Sequence, residues 1–306
     1  MVARSPASAR GTVVAPAWAV AALGPDCVDL VQLPWGFTNE TWAATAPDGV
    51  GYVATRMASL EAAAAVIGRG PEIARRLAAA GVPTPVPIAA RSSVVAAVVV
   101  SERLDGAPAM LRLGDRAGPA VVGRALGWIW RRLATVNVDG LRLDDTWARP
   151  GALAEAAATW LELARNDLGP SASAGFGGQL GGLERLLRAR HPRFVHGDLV
   201  PVNVLLREDG PPALLDLEAV RVADPLLDAG WFRWIVGHHH PDAAGSAWSA
   251  FVDQTGLDAG DATVAALLDL LPVVRILEIL AQPDLRPQAR RHWLDQLIAN
   301  RGGASR

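Results

Sequence analysis

The 306-residue sequence contains no lysine; all 29 of its basic residues are arginine. Chemistry that requires an ε-amine is therefore excluded, including a Schiff-base nucleophile and the phosphate lysine of a G-x-x-x-x-G-K-[ST] loop, a string that is also missing. Cysteine is almost absent. The single Cys27 cannot close an intrachain disulfide and, with no CxxC partner, cannot anchor zinc, which points to a reducing, cytoplasmic setting. Long hydrophobic runs are also lacking: the most apolar stretch, Ala262 to Ala281, is broken by Asp269, Pro272, Arg275 and Glu278. It reads as one or two core helices, not as a membrane span. Gly11 to Gly24 follows Arg4 and Arg10 and has the small and apolar residues of a secretory signal, but Pro16 interrupts it and a buried helix is the preferred reading. Net charge is small, 29 basic against 31 acidic residues leaving −2, far from the basic field that holds nucleic acid.

What is present is an ordinary globular composition, 51% apolar and 20% charged, on a chain long enough for two lobes. From Leu30 to Val100 short apolar runs alternate with turn residues such as Pro47-Asp48-Gly49 and Arg91-Ser92-Ser93, the pattern of a small antiparallel sheet. One helix, Leu60 to Ala80, interrupts it and stops at Gly81-Val82-Pro83. Beyond Leu104 helical windows dominate: Val121 to Thr135, Leu153 to Leu168, Gly182 to Arg190, Asp228 to Val236 and Ala262 to Gln282, with Gly169 to Gly182 read as a connecting loop. The expected class is α+β and bilobal, with an N-terminal lobe over 1–103 and a mainly helical C-terminal lobe over 104–306.

One segment stands apart: Phe194-Val195-His196-Gly197-Asp198-Leu199-Val200-Pro201-Val202-Asn203, where apolar runs flank a polar centre. His196, Asp198 and Asn203 occupy the positions of the protein-kinase catalytic loop, H-R-D followed by N, with Gly197 in place of arginine. Eighteen residues after Asp198 comes Leu215-Asp216-Leu217-Glu218, where a kinase carries its metal-binding aspartate. The types suit phosphoryl transfer. Magnesium takes hard oxygen ligands such as Asp216 and the Asn203 amide oxygen, while a second carboxylate, Asp198, orients an attacking hydroxyl and takes its proton. A single H-x-D is a common accident, but three such residues at kinase offsets need several coincidences.

This set resembles the aminoglycoside phosphotransferases and their small-molecule kinase relatives, where H-G-D-x-x-x-x-N is typical and the metal aspartate is followed by G-D-P and D-L-A strings. Here Asp224-Pro225 and Asp228-Ala229 stand at those places. The resemblance spans roughly residues 30 to 235. It implies a protein-kinase-like fold; ATP or GTP with Mg2+; Asp198 and His196 in the catalytic loop; Asn203 and Asp216 on the metal; and Asp228 as a support for the loop. By the same resemblance Trp35-Gly36-Phe37-Thr38-Asn39-Glu40-Thr41-Trp42 is the nucleotide-covering hairpin, with Thr38 and Asn39 near phosphate, and Val98 to Leu104 is the hinge that meets adenine around Ser101 to Arg103. The third-strand lysine of the family has no counterpart. Arg56 is its natural substitute, a bidentate but larger cation, and its helix partner is Glu72 or Glu61, Glu72 having the better offset.

For the acceptor, residues 195–306 hold 15 carboxylates against 9 arginines, a surplus that favours a cationic substrate. The resemblance places the acceptor pocket among the C-lobe helices, with Glu218, Asp253 and Glu278 as candidates, and Trp231 and Trp234 either lining it or packing in the core. The expected activity is phosphorylation of a hydroxyl on a small cationic antibiotic, an aminoglycoside or a tuberactinomycin-like peptide. A sugar or amino-alcohol kinase and a non-catalytic kinase-like binding protein are the rival readings. His238-His239-His240 closes a helix with its imidazoles at the carbonyl end, where positive charge is favoured.

Overall fold

The structure, a computed structural model, describes residues 15–33, 40–57, 59–93 and 96–303. It divides into two compact units, the first comprising 1–75 with 84–105 and the second 76–83 with 106–306.

The first unit is a five-stranded antiparallel sheet with strands β1 (Val28–Leu33), β2 (Glu40–Thr45), β3 (Gly51–Met57), β4 (Pro87–Ser93) and β5 (Ala96–Glu102), in the order β1-β2-β3-β5-β4. The apolar run in β5 has a simple cause: both of its faces are covered. Val98 and Val100 pack with Ala54 and with Ala22 of helix α1 (Ala17–Leu23), while Ala97 and Val99 pack with Met57 and with Ala63 of helix α2 (Leu60–Ala79). Side chains alternate between faces with period two, so a strand buried on both sides must be apolar throughout. Two helices thus serve this sheet where one was expected, α1 being the helical reading of the Gly11 to Gly24 stretch over its described part. Ile73 and Leu77 of α2 are fully buried at an i, i+4 spacing, each contributing roughly 1.5–3 kcal/mol.

The second unit is mainly helical. Its helices are α3 (Gly118–Leu133), α4 (Pro150–Leu168), α5 (Pro170–Leu180), α6 (Leu183–Leu187), α7 (Leu226–His239), α8 (Pro241–Thr255), α9 (Ala262–Leu280) and α10 (Pro287–Gly303). Five short strands complete it: β6 (Ala107–Pro108) and β9 (Ala213–Leu214) flank β8 (Val204–Leu206), and β7 (Arg193–Val195) pairs with β10 (Arg221–Ala223). The stretch Gly169 to Gly182, expected as a loop, is largely the helix α5. Its Gly and Ser residues give little helical signal, but Ser173, Phe176 and Leu180 form a buried stripe, and packing against α4 outweighs the weak propensity. α9 is a single helix that carries Pro272 in its interior, with Asp261 as N-cap accepting from the Thr263 and Val264 amides, both at 2.9 Å. Among the described residues no helix is long and apolar enough to cross a membrane.

α3 and α8 approach so closely that Gly123 has no room for a side chain: a Cβ there would lie 2.0 Å from the Ala247 carbonyl oxygen. Gly123→Ala must push two buried helices apart, an overpacking cost of about 1–3 kcal/mol. Thermal unfolding is expected to show a melting temperature several degrees lower, and an unchanged value would mean that the helices do not meet at Gly123.

Candidate active site

The two chain segments that carry the polar residues are brought together by strand pairing. β7 and β10 pair with Val195 opposite Arg221, and β8 and β9 pair with Val204 opposite Leu214. The loop from β7 to β8, 196–203, therefore lies beside the loop from β9 to β10, 215–220. Two bonds staple them together. The Leu215 N–H donates to the Asn203 carbonyl at 2.8 Å, and His196 Nε2 donates to the Leu215 carbonyl at 2.9 Å. Both lie next to Asp216 in the chain.

Asp198 is the partly accessible member of an otherwise buried run from Phe194 to Val200. One carboxylate oxygen accepts the Asn203 side-chain N–H at 2.8 Å and the other accepts the Trp231 indole N–H at 2.7 Å. The Asn203 amide nitrogen also reaches the Asp198 carbonyl at 2.9 Å. With its nitrogen committed to two acceptors, the amide of Asn203 turns its oxygen away from Asp198. Asp216 occupies the left-handed region, φ 59° and ψ 81°, and its carboxylate accepts from the Glu218 amide at 3.3 Å. Positive φ is uncommon for a non-glycine residue, and Asp and Asn are the types that reach it most readily. Burial first, and then the charge of Asp198, raise the Asp216 carboxyl above its ordinary value, although the side chain has open surface. Asp198, Asn203 and Asp216 thus form one cluster.

Beneath the cluster lies Asp228, the first-turn acid of α7 and 1% exposed. Its two oxygens accept the backbone N–H groups of His196 and Gly197, each at 2.8 Å, the loop support that the motif implied. Gly197 has φ +77°, and a Cβ on it would come within 2.3 Å of the Ala219 carbonyl oxygen. Only glycine fits there, which explains H-G-D where a protein kinase has H-R-D. A buried ion network closes the far side: Glu278 is bound by Arg221 at 2.7 and 3.0 Å, by the Trp147 indole N–H at 3.1 Å, and by Arg275. Burial opposes the Glu278 charge, but Arg275 and Arg221 outweigh it and hold the carboxyl below its usual range.

Several expectations change. His196 is fully buried and its Nε2 donates to the Leu215 carbonyl, so it acts on the loop from within the core. Glu278 is enclosed by its arginines, which removes it as an acceptor ligand. Trp231 is 2% exposed, with its N–H on Asp198; Trp234 donates to the Gln296 amide oxygen at 2.9 Å. Asp253 and Glu218 remain exposed. In the first unit Arg56 faces Glu40 across the β2–β3 pairing at 3.8 Å, and Glu72 is held by Arg75 at 2.7 and 2.8 Å. The Arg103 N–H is taken by the Gly51 carbonyl at 2.8 Å, so that hinge donor is spent, and Ser101 lies in β5 between β3 and β4. Thr38 and Asn39 lie outside the described residues. The histidine run does end α7, but burial and the neighbouring imidazoles lower His239 to about 4, so it is neutral there and not the cation expected. Among the described residues no group of three His, Cys, Asp or Glu side chains gathers to hold a metal. The residues that sequence reasoning missed are Arg221, which carries no motif, and Trp231 in its role on Asp198.

A strand-rich unit, a helical unit and an H-G-D loop stapled to a second aspartate define the kinase-like class of phosphoryl-transfer proteins. Among solved structures the fold matches the GDP and kanamycin complex of the aminoglycoside phosphotransferase APH(2")-IIia, with TM-score 0.70, 16% identity and coverage of 94% of this chain and 98% of that one. It also matches an aminoglycoside-3'-phosphotransferase of type VIII, at TM-score 0.57 and 24% identity over 83% and 97% of the two chains. A macrolide 2'-phosphotransferase from Brachybacterium faecium matches at TM-score 0.58 and 18% identity over 88% and 91%. No curated protein sequence matches significantly. Residues 29–267 match the model of the phosphotransferase enzyme family, and the chain belongs to that family: it is a phosphotransferase.

The raised Asp216 carboxyl has a consequence for stability. An acid whose pKa is higher folded than unfolded costs the fold nothing while protonated in both states, and destabilises it as pH rises through the titration. Asp216→Asn removes that charge and keeps a residue at ease in the left-handed region. At neutral pH the ligand-free variant is expected to melt above the parent, with the gain shrinking as pH falls. A variant that melts lower at neutral pH would show that Asp216 is not repelled in its site.

Proposed function

We propose that this phosphotransferase moves the γ-phosphoryl group of ATP or GTP onto a hydroxyl of a small, cationic antibiotic, acting in the cytoplasm where those nucleotides are plentiful. The observation that carries the reading is the Asp198 carboxylate, held at both oxygens yet partly open, beside an asparagine amide oxygen and a second carboxylate. The acceptor oxygen attacks the γ-phosphorus as the bond to the β,γ-bridging oxygen breaks. The nucleoside diphosphate leaves with that electron pair, and the hydroxyl proton passes to Asp198.

The donor set fits magnesium: the Asn203 oxygen is turned away from Asp198, Asp216 is held with a free lone pair on each oxygen, and two protein oxygens are what an ion that keeps its waters and takes phosphate oxygens requires. Asn203 and Asp216 would hold magnesium, which would supply neutralisation of charge on the transferring group. In the first unit Arg56 is the cation proposed for the nucleotide phosphates, with Glu72, Thr38, Asn39, Ser101 and, through its carbonyl or side chain, Arg103 as the remaining nucleotide contacts. Support for an antibiotic acceptor comes from the structural relatives, one bound to kanamycin and another described as a macrolide phosphotransferase. The surplus of 15 carboxylates over 9 arginines in residues 195–306 supports a cationic one, with exposed Asp253 and Glu218 available to it.

A panel of aminoglycosides, a tuberactinomycin and a macrolide, each tested with ATP and GTP, is expected to give magnesium-dependent phosphorylated product with at least one cationic member. Asp198→Ala is expected to lower kcat by about 10²–10⁴-fold while nucleotide affinity holds within a few-fold. Nucleotide binding without product across the panel, or full turnover by the alanine variant, would overturn the reading.

A further inference from the structure

Residues 228 and 231 lie one turn apart on α7, an i, i+3 pair on one face. Asp228 holds the backbone of His196 and Gly197, and the indole N–H of Trp231 holds the side chain of the next residue, Asp198, at 2.7 Å. A single helical turn therefore grips both the main chain and the functional group of one short loop. We infer that Trp231 is a positioning residue for Asp198, setting the plane of the carboxylate that receives the acceptor proton; the inference rests on the reading of Asp198 as that base.

A carboxylate bonded at one oxygen can still swing about that bond. Asn203 by itself would leave Asp198 this freedom, whereas donors on both oxygens fix the plane and leave one lone pair on each oxygen for the acceptor. An indole is well suited to the task because its nitrogen only donates, so it orients the base without competing for the proton. It is also immobile. Trp231 is 2% exposed and its ring packs on that of Trp293, with centroids 5.4 Å apart and planes 31° apart. The preceding Gly230 lets α7 lie directly on α9, since a Cβ there would be 2.8 Å from the Leu268 carbonyl oxygen. The helix bearing the donor is thus seated hard against its neighbour. A water in place of the indole would exchange and reorient; a buried N–H does not, and donors already in place need no rearrangement during reaction. With so little surface, Trp231 offers no wall to the acceptor, and its effect on catalysis must pass through Asp198.

The ordinary alternative is a core tryptophan whose N–H found the nearest acceptor. Trp231→Phe separates the two, because it keeps a ring and deletes only the donor. The expected result is a kcat lowered by about 10–100-fold, in line with the cost of a small misplacement of a reacting group, with the nucleotide KM within twofold. Trp130→Phe serves as the control, removing an indole N–H that donates to the Pro225 carbonyl at 2.8 Å, and is expected to leave kcat within twofold. Equal kcat in the parent and Trp231→Phe overturns the proposal. An NMR measurement is independent of turnover and decides the matter if Trp231→Phe fails to fold: the Trp231 indole 1H–15N signal, displaced by its carboxylate partner, should move on Asp198→Ala substitution, and a signal that stays in place overturns the proposal. Asp198→Ala turnover reports separately on the base itself, since an active alanine variant removes the base while leaving the indole result intact.

Discussion

The catalytic-loop geometry depends on a carboxylate with no access to water. Asp228 sits inside the helical unit and takes two backbone N–H groups from the turn that leads into Asp198. Charge-assisted bonds of this kind contribute about 1.5–3 kcal/mol each, and stripping an ion of its water costs several kcal/mol, so the two nearly cancel. The direction of the imbalance is visible: burial raises the Asp228 carboxyl above its ordinary value despite both bonds. What the anchor supplies is the shape of the turn, with both backbone N–H groups fixed on one carboxylate. Gly197 is the complementary constraint, since no side chain could share the space between the anchored turn and the Ala219 carbonyl.

The same balance recurs through the cluster. The charge of Asp198 raises the Asp216 carboxyl, Asp216 is held in a left-handed backbone conformation, and Glu278 is bound between two arginines. Together they keep two carboxylates and the Asn203 amide in one cluster held by the protein's own hydrogen bonds.

Much of this was legible in the residues. The spacing of His196, Asp198, Asn203 and Asp216 marked the cluster, and Asp228 followed from the string around it. The alternating strands and helical windows placed most elements. The roles that failed did so because a side chain's partner is not written in its neighbours. Nothing near His196 shows that its ring faces the Leu215 carbonyl, and nothing near Glu278 shows Arg221, 57 positions earlier in the chain. Trp231 carried the right spacing to Asp228, but only the bond to Asp198 distinguishes an orienting donor from packing. The helix α5 escaped notice because its propensity is poor, and its buried face acquires meaning only against α4.

The sequence by itself determined the chemistry available: arginine as the sole strong base, no thiol pair, and oxygen-bearing side chains at the intervals of a phosphoryl-transfer loop, because these depend on residue type and local spacing. Tertiary structure decided which of those groups remain free to react. That choice rests on burial and on hydrogen-bond partners drawn from distant segments, and both arise only when strand pairing and helix packing bring 193–206, 213–223 and α7 into contact.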